Sequence, residues 1–179
     1  QIGILVTHIG YGPPGRPSEF NDETIMTALE ENFLSAVRFA REVVPFMKQQ
    51  RWGRIIHLLP SLGRSSATGT ALSTTSQMAL VGYSKMLANE LAPFNITVNN
   101  LVSGPVETDY LTGTLQSEAK ETGRSFEELM KEVVSSIPIG RLGKPEEVGD
   151  LVTFLASNRA SFLTGASVVL DGGMLQTIN

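Results

Sequence analysis

The sequence predicts an α/β protein with a parallel sheet, and three observations carry that reading. Four short apolar runs, at Ile2 to Val6, Arg54 to Leu59, Ile96 to Val102 and Ser167 to Leu170, have the length and make-up of strands. Helical spacing, with apolar residues every three or four positions, fills much of the sequence between them. Each intervening segment is also long enough to return the chain across a sheet, which parallel neighbours require.

Taken in order, the first run passes into a Gly/Pro-rich loop, Gly10 to Pro17, after which Asn21 or Asp22 can cap a long helix. The apolar stripe of that helix runs through Ile25, Leu29, Phe33, Ala36, Val37, Ala40 and Val44, with Asn32 as its polar member, and Pro45 is expected to bend it near its end. Gly53 leads into the second strand. A Ser/Thr/Gly-rich loop then precedes a helix from about Ser73 to Leu91, whose apolar residues spread so widely that burial on two sides is expected. Pro93 stops this helix, and the third strand ends in Ser103-Gly104-Pro105. Ser125 and Glu128 form a capping box for a helix through Val134, within an amphipathic segment from Tyr110 to Ile137 that reads as a lid. Pro145 suits the first turn of a last helix bearing Val148, Leu151, Val152 and Leu155, and the final strand runs into Asp171-Gly172-Gly173. With no internal repeat or linker, one domain over residues 1–179 is expected.

Composition removes several classes of function. A chain with 41% hydrophobic and 18% charged residues can bury a core. Its net charge of −4 and lack of a Lys/Arg run speak against nucleic acid and membrane surfaces as partners. Without cysteine there is no disulfide or thiolate chemistry, and with His8 and His57 as the two imidazoles no metal site is expected. No apolar run approaches the roughly 20 residues that span a bilayer, so a soluble, cytoplasmic protein is expected. The chain opens directly in a strand-like run with no starting Met, which reads as a cut end.

Ligands of open α/β sheets sit beyond the carboxyl ends of the strands, which directs attention to Thr7-His8-Ile9-Gly10, Pro60-Ser61, Ser103 to Asp109 and the residues after Leu170. Other distinctive stretches are Gly53-Arg54-Ile55-Ile56, Leu87 to Asn99 (LANELAPFNITVN), Gly104 to Asp109 (GPVETD), IPIGRLGKPEEVGDLVTFLAS and TGASVVLDGG. In this order they resemble the short-chain dehydrogenase/reductase superfamily, especially bacterial 3-oxoacyl-carrier-protein reductases and sugar or secondary-alcohol dehydrogenases. The resemblance implies a Rossmann-type doubly wound parallel sheet of seven strands, of which this chain supplies the last four. The first three, with the Gly-rich pyrophosphate turn and the residue that selects NAD or NADP, are expected upstream of Gln1.

The resemblance also implies a catalytic set of Asn, Ser, Tyr and Lys, in which Tyr donates a proton to a carbonyl and Lys lowers its pKa. Asn32 matches the family Asn, although a satisfied core amide is an equally simple reading. The Ser position falls on Pro60, with Ser61 as the nearest hydroxyl, and the Tyr and Lys positions fall on Ser73 and Gln77. An aliphatic hydroxyl is a far weaker acid than a phenol, and Gln carries no charge. Tyr83 and Lys85 lie more than two turns further along the helix. His8 reads either as a loop His packed against the next strand or as a donor near neutral pH, and His57 reads as structural. For NAD or NADP the resemblance implies contacts from Thr7, His8, Ile9 and Gly10 on the adenosine side. Ser103, Gly104, Val106 and Thr108 are implied around the nicotinamide.

Two functions follow as expectations. One is an atypical oxidoreductase that moves a hydride between NAD(P) and a carbonyl or alcohol. The other is a catalytically inactive member that binds a dinucleotide as a sensor or serves as a scaffold. In either case the resemblance implies a homodimer or homotetramer paired through the two long helices.

Overall fold

Four parallel strands lie in sequence order in one sheet: β1 (Ile4–His8), β2 (Gly53–Pro60), β3 (Ile96–Ser103) and β4 (Ser167–Leu170). They are seen in a computed structural model that describes all residues except 1, 11, 14, 61–70 and 177–179. Strand β1 starts and ends two residues later than its apolar run suggested. The reason is pairing: Ile4 to His8 run alongside Arg54 to Leu58, so Thr7 and His8 belong to the ladder and not to a loop.

The first long helix is capped by Asn21, whose Oδ1 accepts the Thr24 N–H at 2.9 Å. It consists of α1 (Asp22–Leu29), a five-residue π turn at Glu30–Leu34, and α2 (Ser35–Gln50). The widened turn is marked by the Ser35 N–H reaching the Glu30 carbonyl, five residues back. Pro45 lies inside α2, which continues for five residues beyond it and ends at Arg51 in a left-handed conformation (φ 52°). Helix α3 (Ala71–Leu91) begins two residues before Ser73 and gives way to a 3-10 turn at Ala92–Phe94 that contains Pro93.

Helices cover both faces of the sheet. On one face, Ala40, Val43 and Met47 of α2 and Leu87, Ala88 and Leu91 of α3 pack over Ile55, Ile96 and Val98. On the other, α6 (Pro145–Ala156) places Leu155 against Ile56 and Leu101. Because the strand order is monotonic, the β3-to-β4 connection, with its helix on the opposite face, crosses with the reverse hand of the first two. Between β3 and α6 lie α4 (Asp109–Thr122) and α5 (Phe126–Ser135), which bury Leu115, Leu129, Val133 and Ile137 together. The capping box of α5 is formed as expected, with the Ser125 hydroxyl accepting the Glu128 N–H and Glu128 accepting the Ser125 N–H.

Two sequence stretches have structural causes visible here. Arg54 is fully buried, and its guanidinium donates to the carbonyls of Gly53 (2.7 Å) and Asn95 (3.1 Å) and to Asn158 Oδ1 (3.3 Å), tying β2 to the end of α6. Arg141 holds Glu147 through two hydrogen bonds of 2.9 and 2.8 Å, and Glu147 also accepts the Lys144 N–H, which fixes the start of α6. These contacts, led by the Arg141 hydrogen bonds, hold the Glu147 carboxyl down at about 2. No helix among the described residues is long and apolar enough to cross a membrane, and no cluster of metal-ligating side chains occurs among them.

A polar row crosses the sheet on the α3 side, one residue per strand at facing positions, Thr7, His57, Asn100 and Ser167, of which His57 and Asn100 are buried. Thr7 Oγ1 lies 2.6 Å from His57 Nδ1, Asn100 Nδ2 donates to Ser167 Oγ at 3.2 Å, and the Ser84 hydroxyl of α3 lies 2.9 Å from Asn100 Oδ1. His57 Nε2 is buried with no hydrogen-bond partner among the described residues. Burial disfavours the imidazolium and pushes the His57 pKa down to about 4. The unfolded state, at about 6.5, therefore takes up the proton first as pH falls. Stability is full above about pH 6.5 and is lost between there and pH 4, by about 3 kcal/mol as an order of magnitude. Urea midpoints measured at pH 7 and pH 4.5 should show this loss, and His57→Asn should reduce it; an unchanged pH dependence in the variant would contradict the assignment.

Candidate active site

At the carboxyl end of β1, Ile9 turns its side chain into the core beside Ala36, Leu59 and Leu80, and its N–H bonds the Leu58 carbonyl at 3.2 Å. The chain then leaves the sheet, and its next backbone N–H groups find side-chain acceptors on two different helices. Asn32 Oδ1, in the π turn, accepts the Gly10 N–H at 2.9 Å, and Ser73 Oγ, in the first turn of α3, accepts the Gly12 N–H at 2.7 Å. Both side chains are buried. A third contact closes the group: Asn32 Nδ2 donates to the Ala28 carbonyl at 3.1 Å, and the Ser76 hydroxyl, shared with the Leu72 carbonyl, reaches the same Ala28 oxygen at 3.2 Å.

Glycine at position 12 suits this close approach. A Cβ there would stand 3.1 Å from Leu72 Cβ and 3.4 Å from Ser73 N, so the loop backbone lies directly on the opening turn of α3. Gln77 follows Ser73 by one helical turn; it is 2% exposed, and its Nε2 has no hydrogen-bond partner among the described residues. Pro60 ends β2 opposite Ser103 of β3. Ser61 falls outside the described residues.

Across the same edge of the sheet, Ser103 faces Leu170, and Gly104 donates its N–H to the Leu170 carbonyl at 2.9 Å. A Cβ on Gly104 would come within 2.7 Å of Asp171 Cα, so this glycine serves the close approach of β3 and β4. Val106 forms a single parallel bridge with Gly143, made by the Glu107 N–H to Gly143 and the Gly143 N–H to Pro105. That bridge leaves the N–H of Val106 itself outside it. Thr108 caps α4 by accepting the Leu111 N–H at 3.3 Å, and its own hydroxyl donates to the Val106 carbonyl at 3.3 Å.

The structure thus brings Asn32 and Ser73 together around the loop after β1, with Gln77 on the same helix face. Gly104, Val106 and Thr108 stand on the β4 side of the same sheet edge. Thr7 and Ile9 turn their side chains to His57 and to the core, so any ligand contact from them is through backbone. His8 is exposed and alternates with Thr7, which puts it on the face away from α3 and not with Asn32. Tyr83 packs edge-to-face on Phe33, and Lys85 donates to the Gly165 carbonyl at 3.2 Å. Sequence reasoning missed Gly12 and Ser76; the signal available was a second glycine two residues after Gly10 and a serine on the buried face of α3.

The family model described as enoyl-(acyl carrier protein) reductase matches residues 1–175. The 3-oxoacyl-[acyl-carrier-protein] reductase FabG of Aquifex aeolicus is 35% identical over 153 residues, 86% of this chain and 56% of that protein. The NADPH-dependent reductase BacG of Bacillus subtilis is 29% identical over 178 residues, 99% of this chain and 69% of that protein. The crystal structure of L-sorbose reductase from Gluconobacter frateurii, complexed with NADPH and L-sorbose, superposes with a TM-score of 0.89 at 32% identity, covering 98% of this chain and 67% of that one. The chain therefore spans between about half and two thirds of the length of these proteins.

Proposed function

The chain belongs to the short-chain dehydrogenase/reductase superfamily, and on that premise we propose that it is the catalytic-end portion of an NAD(P)-dependent oxidoreductase acting on a small carbonyl or alcohol. The observation that carries this reading is the convergence of Asn32 and Ser73 on the loop after β1, at the end of the sheet where such folds take their ligands. The catalytic set is degenerate: Asn32, Ser73 and Gln77 occupy the site, Ser61 is the hydroxyl next to Pro60, and the proton reaches the substrate through water. A cytoplasmic location and a sheet with further strands along the open edge of β1 accompany this reading; Ile4 and Val6 of that strand are exposed.

The residues fit a dinucleotide on its nicotinamide side. The N–H of Val106 lies outside the Gly143 bridge and is a donor for a carboxamide, with Thr108 as a neighbouring hydroxyl. Gln77 contributes an amide N–H that is buried without an acceptor among the described residues. A bound nicotinamide supplies or accepts the hydride; the chain's own residues orient the reactants and hold their polar atoms.

A second reading, a dinucleotide-binding member without turnover, is favoured by one specific contact. The Ser73 hydroxyl is already engaged by the Gly12 N–H, and no side chain at positions 73 or 77 ionises as a Tyr and Lys pair does. On the full-length protein, NADH and NADPH titrations by fluorescence should show binding, and a ketone and alcohol panel followed at the nicotinamide band should show slow turnover. Combining Pro60→Ser, Ser73→Tyr and Gln77→Lys should raise carbonyl reduction roughly 100-fold. Binding without any turnover selects the second reading, and absence of dinucleotide binding overturns both.

Association is part of the same proposal. The outer faces of α2 and α3 expose Phe39 (58%), Phe46 (53%), Met78 (54%) and Met86 (68%), residues that are rarely grouped on a surface facing water. Pairing with a second copy through these helices gives a homodimer or homotetramer. Light scattering should give at least a dimer, and Phe46→Glu with Met86→Glu should shift it toward monomer; a monomeric parent protein would contradict the pairing.

A further inference from the structure

We propose that the turn after β4, Asp171 to Met174, is a latch that clips the α4–α5 segment onto the end of the sheet, and that Asp171 and Met174 are the positioning residues of that latch. The α4–α5 segment has an apolar core of its own. Leu115, Leu129, Val133 and Ile137 are buried in it, and all but one of the partly buried residues packed on them come from positions 111–142. The exception among the described residues is Met174, which reaches this core from beyond β4. The two ends of the segment are joined to each other by the Val106–Gly143 bridge. A core of its own and tied ends make α4–α5 a module that can tilt without unfolding.

Asp171 folds the latch. Its Oδ1 accepts the Gly173 N–H at 2.9 Å and its Oδ2 the Leu175 N–H at 2.7 Å, so both carboxylate oxygens bend the chain that follows. Gly172 and Gly173 take φ values of 65° and 87°, which glycine adopts without a Cβ clash. The turn lies directly on the chain leaving α5: the Gly172 carbonyl accepts the Ile139 N–H at 3.1 Å, and a Cβ on Gly172 would stand 2.6 Å from Ile137 Cγ2. Met174 is thereby delivered to the core of the module, with its Sδ 3.8 Å from the Ser136 hydroxyl. On its other side the latch backs onto Gly104, next to Asp171 Cα. Opening the module breaks the Gly172–Ile139 hydrogen bond and exposes Met174, a local event that leaves the sheet intact. Because Gly104 and Val106 share this edge, the latch governs how fast a dinucleotide leaves; that consequence rests on the reductase reading above, whereas the latch itself does not.

The test is site-resolved amide exchange on the full-length protein, with NADPH release followed by stopped-flow fluorescence. Met174→Ala should speed exchange at Ile139 about 10-fold, while Leu129 and Val133, inside α5, keep the parent rate because the module moves as a unit. Met174→Leu conserves volume and should restore slow exchange at Ile139. Asp171→Ala should act as Met174→Ala does; if it fails to fold, the two Met174 variants decide alone. NADPH should leave Met174→Ala about three- to tenfold faster than the parent and return to the parent rate in Met174→Leu. Unchanged exchange at Ile139 in Met174→Ala, or equal acceleration at Ile139, Leu129 and Val133, overturns the latch. An unchanged NADPH release rate overturns its control of the ligand. Failure of the parent protein to bind NADPH overturns the reductase reading and leaves the latch to be decided by the exchange rates.

Discussion

Two backbone N–H groups in the loop after β1, those of Gly10 and Gly12, have no strand or helix to bond to, and the ligand end of the fold is arranged around satisfying them. Asn32 reaches one from the π turn and Ser73 reaches the other from the start of α3. Loop, first helix and α3 are thereby tied at a single place, and the Ala28 carbonyl, which both Asn32 and Ser76 approach, draws α1 into it. The π turn fits this demand. An extra residue in the turn re-aims a side chain, and Asn32 is the buried side chain in that turn.

This arrangement changes what the position on α3 can do. A serine hydroxyl holding a loop is a fixed hydrogen-bonding group, and a carboxamide one turn later adds a second without adding charge. The fold retains its parallel sheet and its helices on both faces, while α3 carries a serine at position 73 and a glutamine at position 77. Chemistry and architecture separate at this site: sheet and helices follow from buried apolar residues and from contacts such as Arg54 with the end of α6, none of which depends on the residue at position 73.

Much of the architecture was legible from local chemistry. The cap at Asn21, the capping box at Ser125 and Glu128, the Pro145 start of α6 and the extent of β4 each depend on a few neighbouring residues, and each appears where the sequence put it. What depended on partners distant in sequence was not legible. The limits of β1 are set by pairing with Arg54 to Leu58, fifty residues away. The π turn is tied to Asn32 meeting Gly10, and Pro45 is tolerated inside α2 because that helix is held by its packing on the sheet. At the site, Asn32 and Ser73 were singled out because they fall on positions that the family resemblance implies, whereas Gly12 and Ser76 were not, because their parts depend on which backbone atom lies opposite. His8 showed the converse: its residue type suggested chemistry, and the strand's alternation turned it to the other face.

The most direct measurement is amide hydrogen exchange, resolved at Gly10 and Gly12. If Asn32 and Ser73 hold this loop, both amides exchange slowly although they lie outside any strand, and Ser73→Ala speeds exchange at Gly12 about 10-fold while Gly10 stays protected. Rapid exchange at both positions in the unaltered protein would contradict the account.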